Sequence, residues 1–323
     1  MPFRKKGMFP MKHLFTAGLM AASLLTAWPA AAQDKLTVML DWFVNPDHAP
    51  LVVAQEKGFF KDAGLEVTLT APADPNDPPK LVAAGGADIA VSYQPQLILQ
   101  VSEGLPLVRI GTLVSTPLNS LVVLRDGPVK TLKDLKGRKV GYSIAGFEDA
   151  LLGAMLEKQG LSLKDVELVN VNFSLSPSLL SGQVDAVIGA FRNFELNQMA
   201  IEQHPGRAFY PEEEGVPPYD ELILEARKDK ANDPRFKRFL AAVERATLYI
   251  LNHPEEAQAA FVKDRPELND ELNRRAWADT LPRFAHSPAA LDAERYSRFA
   301  EFLKARGLIK TVEPVDHYAV VVK

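Results

Sequence analysis

An apolar run from Leu36 to Leu40 opens directly onto Asp41, Trp42, Phe43, Asn45 and His48. Two chemistries fit such a segment. His48 could serve as a base with Asp41 as the carboxylate that orients it, or the aromatic and polar groups together could form one wall for a flat, hydrogen-bonding small molecule. Three further apolar runs end in the same way. Ile89 to Val91 leads to Ser92, Tyr93 and Gln94; Lys139 to Tyr142 leads to the turn from Ser143 to Glu148; Gly182 to Ala190 leads to Phe191, Arg192, Asn193, Phe194 and Glu195. Aromatics there can sandwich a planar ring, an offset stack adding ~0.5–1.5 kcal/mol beyond the area it buries. Carboxylates there can accept hydrogen bonds from an amino group. One aromatic at a strand end is most simply core packing, but four such ends together point to a site. The candidate ligand-binding residues are Asp41, Trp42, Asn45, His48, Ser92, Tyr93, Phe191, Asn193 and Glu195. Glu148 joins them as an acid that the helix dipole alone would also place at a helix start.

These ends need strands that give way to helices. Leu36–Leu40 reads as a strand and is followed by a helix from near His48 that stops at Lys57-Gly58; Leu65–Leu69 alternates as a strand, completing a βαβ start. A Pro-rich loop, a short helix over 80–84, the buried strand at Ile89, a helix over 96–103 and strands at 107–113 and 121–124 come next. Lys139–Tyr142 begins a second unit on the same plan, and the Gly-x-x-Asp lead of Gly85 to Asp88 recurs at Gly182 to Asp185. Crossings between units are expected near 124 and 221. From Pro234 onward the pattern is helical throughout, with Trp277, Phe284, Tyr296 and Phe299 spaced for packing. No dinucleotide, P-loop, nucleophile-elbow, zincin or calcium-loop motif occurs, and the six histidines form no ligand pair at helical spacing. No catalytic residue, metal or cofactor is therefore expected.

Composition is ordinary for a globular chain of 323 residues, 47% hydrophobic and 24% charged. The start is not: Arg4, Lys5, Lys6 and Lys12 precede an apolar run from Leu14 to Leu25 and then Ala30-Ala31-Ala32. This is the pattern of a cleaved secretory signal peptide over 1–32, with Met1, Met8 or Met11 as the start, and the run is shorter than the ~20 residues of a spanning helix. Of 37 Lys and Arg, the leader takes four, leaving 33 against 41 Asp and Glu, a net charge of −8. Nucleic acid is not an expected partner. The absence of cysteine removes lipidation, disulfides and thiolate chemistry. A soluble exported protein is expected, retained in a periplasm if the source has an outer membrane.

Three stretches carry a resemblance: Leu-Asp-Trp-Phe-x-Asn-x-x-His at 40–48, Ala-x-x-Lys-Gly-x-Phe at 54–60 and Ile-Ala-Val-Ser-Tyr-Gln-Pro at 89–95. Together they resemble the NMT1/THI5-like group of solute-binding proteins, nearest to ABC-transporter components that bind pyrimidine precursors of thiamine. The resemblance implies an α/β, type II periplasmic-binding fold. Lobe 1 would be discontinuous, 33–123 and 222–323, and lobe 2 would be 124–221. It implies a monomer that hands a pyrimidine-like small molecule to a membrane permease and its ATPase. Carried over, Trp42 and Tyr93 would stack on or border the ring, Asn45 and His48 would shape the same lobe's wall, and Glu195 would accept from the 4-amino group across the cleft. Phe191 and Asn193 occupy positions where the family places aromatic and polar groups. The family also includes a pyrimidine synthase that consumes a histidine as substrate, with pyridoxal phosphate and iron, but it needs a cytoplasmic chain and a cysteine-rich motif. A related sulfonate or nitrate binder would want converging cations, for which Arg192 is the single basic residue at a candidate strand end; other heteroaromatic precursors, such as flavin or polyamine-like ligands, are further alternatives.

Overall fold

The computed structural model describes residues 32–322, so the expected leader lies outside the described residues except for its last position. The first lobe begins with β1 (Asp34–Met39), whose end passes through a single turn at Pro46–His48 into α1 (Ala49–Glu56). Gly58, at φ +75°, ends that helix in the left-handed region and leads to α2 (Phe59–Asp62) and β2 (Leu65–Thr70). Next come α3 (Pro78–Ala83), with prolines filling its first turn, β3 (Ile89–Ser92), α4 (Gln94–Ser102) and β4 (Leu107–Val114). β1 runs parallel to both β2 and β3, so Leu40 and Ser92 leave the sheet at the same edge.

The chain then crosses to the second lobe. This contains β5 (Asn119–Leu124), β6 (Lys139–Tyr142), α5 (Glu148–Glu157), β7 (Glu167–Asn170), α6 (Leu175–Leu180), β8 (Ala186–Phe191), α7 (Glu195–Ile201) and β9 (Gly206–Phe209). β10 (Leu222–Arg227) returns to the first sheet, and α8 (Pro234–Asn252), α9 (Pro254–Val262), α10 (Glu271–Thr280) and α11 (Ala293–Ala305) complete the chain's regular elements. The sheet orders are β2-β1-β3-β10-β4 and β7-β6-β8-β5-β9. In each, the strand that has just crossed over inserts antiparallel beside the third parallel strand: β10 against β3, and β5 against β8. The first crossing falls between Val114 and Asn119, ahead of the position near 124 expected from the sequence, because β5 pairs with β8 and β9.

The crossings are tied together by one acid. Glu221 Oε2 accepts from the backbone amides of Leu118 (2.5 Å) and Asn119 (2.9 Å). α8 lays its apolar stripe of Phe236, Phe239, Leu240, Val243 and Ile250 on the first lobe, with Phe60 stacked on Phe239 at 5.2 Å. Trp277, Phe284, Tyr296 and Phe299 are buried in that core. The helical pattern expected to reach the C-terminus stops at Ala305. Beyond it the chain lies alongside β4, where Arg109 N donates to Tyr318 O (2.8 Å) and Val320 N donates to Arg109 O (3.0 Å). Among the described residues, no helix is long and apolar enough to cross a membrane.

Candidate functional site

The ends of β1, β3 and β8 and the start of α5 meet between the lobes around a narrow cavity of about 30 Å³. Its aromatic walls are Trp42 and Tyr93 from the first lobe and Phe191 and Phe194 from the second, with Leu175 beside them. Tyr93 stacks on Phe147 across the interface at 5.0 Å and 20°, and meets the edge of Phe191 at 6.4 Å. Trp42 packs edge-on against Phe173 at 4.6 Å. With Asn76 Nδ2 also donating to Ser143 O at 3.1 Å, the lobes are closed on each other.

Four carboxyl groups line the same cavity: Asp41, Asp47, Glu148 and Glu195. Asp41 is committed on both oxygens, Oδ1 to His48 Nε2 and Oδ2 to Tyr93 Oη, each at 2.8 Å. Glu148 Oε2 accepts from Ser143 N at 2.7 Å and its carboxyl packs directly on the backbone of Gly189. Glu195 Oε2 accepts from Phe191 N at 2.6 Å. Burial pushes the Asp47 carboxyl up to about 6, Glu195 to about 7 and Glu148 to about 8. Among the described residues no Lys or Arg lines this cavity. The arrangement can stack a flat ring and accept hydrogen bonds from it; it offers an anion no cationic side chain.

Not every sequence-predicted residue reaches the cavity. Asp41, Trp42, Asn45, Tyr93, Glu148, Phe191 and Glu195 line it, whereas His48, Ser92 and Asn193 stand behind it. His48 is fully buried; its Nδ1 accepts from Asn45 N (3.3 Å), so the proton sits on Nε2 and is donated to Asp41. Both ring nitrogens are thereby occupied, which removes the reading of His48 as a free base. Ser92 Oγ donates to Gln96 Oε1 at 2.9 Å on the opposite side of the strand from Tyr93. Asn193 Nδ2 reaches Asp47 Oδ1 (2.7 Å) and Thr280 Oγ1 (2.7 Å), joining the lobes. Arg192 turns to the crossings, donating to Leu118 O and Asn119 O and pairing with Glu212 at 2.5 Å. Asp47, Leu175, Gly189 and Phe194 also line the cavity, although the sequence does not single them out as ligand-binding residues. Asp47 comes just after an Asn cap and reads locally as a helix-start acid; its partners Asn193 and Thr280 are remote in sequence, so no short-range signal exposes it.

The raised carboxyls predict a pH dependence of stability. An acid whose folded value lies above its unfolded one holds a proton that unfolding releases, so its contribution is full below about pH 4 and is lost as pH rises through the folded value. For Asp47, Glu195 and Glu148 that window is pH 4 to 8. The melting temperature of the leader-free, ligand-free chain is expected to fall by about 5 °C or more between pH 5 and pH 9. A flat profile would mean that these carboxyls are solvated.

A family profile described as NMT1/THI5 like matches residues 45–257. A Haemophilus influenzae protein, whose name places it provisionally in thiamine biosynthesis, is 58% identical over 96% of this chain and 99% of its own. The formylaminopyrimidine-binding protein of Halalkalibacterium halodurans is 35% identical over 84% of each chain. A 4-amino-5-hydroxymethyl-2-methylpyrimidine phosphate synthase from Legionella pneumophila is 25% identical over 85% of this chain and 88% of that one. Among solved structures, the alkanesulfonate-binding protein of Xanthomonas axonopodis pv. citri superposes with a TM-score of 0.71 at 15% identity, covering 90% of this chain and 99% of that chain. That likeness is one of fold: two α/β lobes that exchange strands and close on a cleft. The profile match and the 35% relative carry the assignment further, and the chain belongs to the NMT1/THI5-like family.

Proposed function

We propose that this chain is the substrate-binding component of an ABC importer, capturing a thiamine pyrimidine precursor in the cleft between its lobes. It would be exported by its leader, work as a monomer in the periplasm, and deliver the ligand to a membrane permease driven by an ATPase. One observation carries the reading: a closed cleft walled by aromatics and lined by four carboxyl groups, without a cation among the described residues. A pyrimidine bearing an exocyclic amino group offers a flat face to stack and N–H groups to donate, which is the complement of that lining. The formylaminopyrimidine-binding relative supports the same ligand class. A sulfonate or nitrate fits poorly, because Arg192 is spent on Glu212 and the crossings. The synthase reading is disfavoured by a chain without cysteine and by the full engagement of His48.

Calorimetry of the chain from Gln33 onward tests this against formylaminopyrimidine, hydroxymethylpyrimidine, thiamine and an alkanesulfonate. Either aminopyrimidine should bind in the micromolar range or tighter, and the sulfonate should give no heat of binding. Tight binding of the sulfonate alone would overturn the proposal.

A further inference from the structure

Asp47 differs from the other acids of the cleft in how it is held. It is 1% exposed, and Oδ1 is fixed from two sides, by Asn193 Nδ2 of the second lobe (2.7 Å) and by Thr280 Oγ1 at the end of α10 (3.1 Å). Oδ2 is buried with no hydrogen-bond partner, and the residue lines the cavity. A buried carboxylate oxygen left bare is costly, more so than a bare neutral acceptor, and a donor from a bound molecule would remove that cost. Glu195 lines the same cavity from the second lobe, its Oε2 anchored by Phe191 N. The two are near enough that the charge of Asp47 helps raise the Glu195 carboxyl.

A single donor atom that satisfies two acceptors from opposite walls must carry two hydrogens. A hydroxyl, a ring N–H or an alkylated amine carries one, whereas a primary amino group carries two. We propose that Asp47 is a specificity-determining residue of the cleft, sharing with Glu195 the two hydrogens of the ligand's –NH2. The site thereby selects heteroaromatics with an unsubstituted exocyclic amine. Because Asn193 holds Asp47 across the lobes, this bridge exists only when they are closed, and the amine itself draws the jaws together. The inference rests on the cleft being an aminopyrimidine site.

The test is calorimetry of the leader-free chain with hydroxymethylpyrimidine and with its 4-methylamino and 4-hydroxy counterparts. Wild type should bind the amino compound about 10- to 100-fold more tightly than either counterpart, as the loss of a hydrogen bond to a charged acceptor implies. Asp47→Asn keeps an oxygen for Asn193 and Thr280 but turns an amide N–H2 toward the ligand. It should lose affinity for the amino compound by a similar factor and narrow its preference over the methylamino compound to about 3-fold or less. A purely steric penalty against the methyl group would survive in the variant, and that result would overturn the inference. So would equal binding of amino and methylamino compounds by wild type, a comparison that needs no variant to fold. If wild type binds none of the aminopyrimidines, the reading of the cleft fails and the inference with it.

Discussion

Trp42→Ala is expected to weaken aminopyrimidine binding by about 2–4 kcal/mol, roughly 30- to 1,000-fold, with a much smaller effect on the melting temperature. The indole is the largest apolar surface lining the cleft from the first lobe, and its edge contact with Phe173 at 4.6 Å places it against the other lobe. Truncation removes a ring face from the ligand and a cross-lobe contact from the closed state. Trp42→Phe should recover most of the affinity, because a phenyl ring keeps the stacking surface. Fluorescence gives an independent readout. Of three tryptophans, Trp28 leaves with the expected leader and Trp277 is buried in the first lobe's core, so a ligand-dependent change belongs to Trp42 and should vanish in Trp42→Phe. Unchanged affinity in Trp42→Ala would remove Trp42 from the site.

Phe173→Ala separates the two contributions. Phe173 touches Trp42 and Phe43 at the rim of the cleft but does not line the cavity. If Trp42 acts by stacking on the ligand, losing Phe173 should cost less than half as much binding energy as losing Trp42.

The strand ends are legible in the sequence because apolar runs stop abruptly at polar and aromatic residues, and a parallel strand delivers its next residues to one edge of the sheet. Which neighbour faces the cleft is less legible. Ser92 and Tyr93 are adjacent, and only the registration of β3 between β1 and β10 decides that the tyrosine points inward. The membership of β5 is hidden for a related reason: an apolar run at 121–124 suits either sheet, and its place is set by pairing with β8 and β9, segments 60 or more residues away. Arg192 sits at the right strand end for an anion site, yet its long side chain reaches Glu212 and the Leu118 and Asn119 carbonyls. Asp47 shows the converse. Its local context explains it without a ligand, and only the fold brings Asn193 and Thr280 to one of its oxygens while leaving the other bare.

Gly189→Ala should lower stability by about 3 kcal/mol or more, a fall of roughly 5–10 °C in melting temperature, and should abolish measurable ligand binding. Two effects add. The residue sits at φ +101°, a conformation L side chains rarely adopt, at the register shift in the pairing of β8 with β5, where its amide donates to Asn119 Oδ1 at 3.1 Å. A Cβ there would also lie 2.3 Å from Glu148 Oε1 and 2.6 Å from Oε2. A carboxylate at the end of a flexible side chain could ordinarily move aside, but this one is buried and held by Ser143 N at 2.7 Å, so displacing it strips that bond and pushes an acid into the cavity. The two contributions can be told apart by adding Glu148→Ala to the Gly189→Ala chain. Removing the carboxyl relieves the collision but leaves the backbone strain, so the double variant should be more stable than Gly189→Ala alone while remaining below wild type, a coupling of about 1–3 kcal/mol between neighbours. Strict additivity would mean that Glu148 finds another resting place and that strain in β8 accounts for the whole loss.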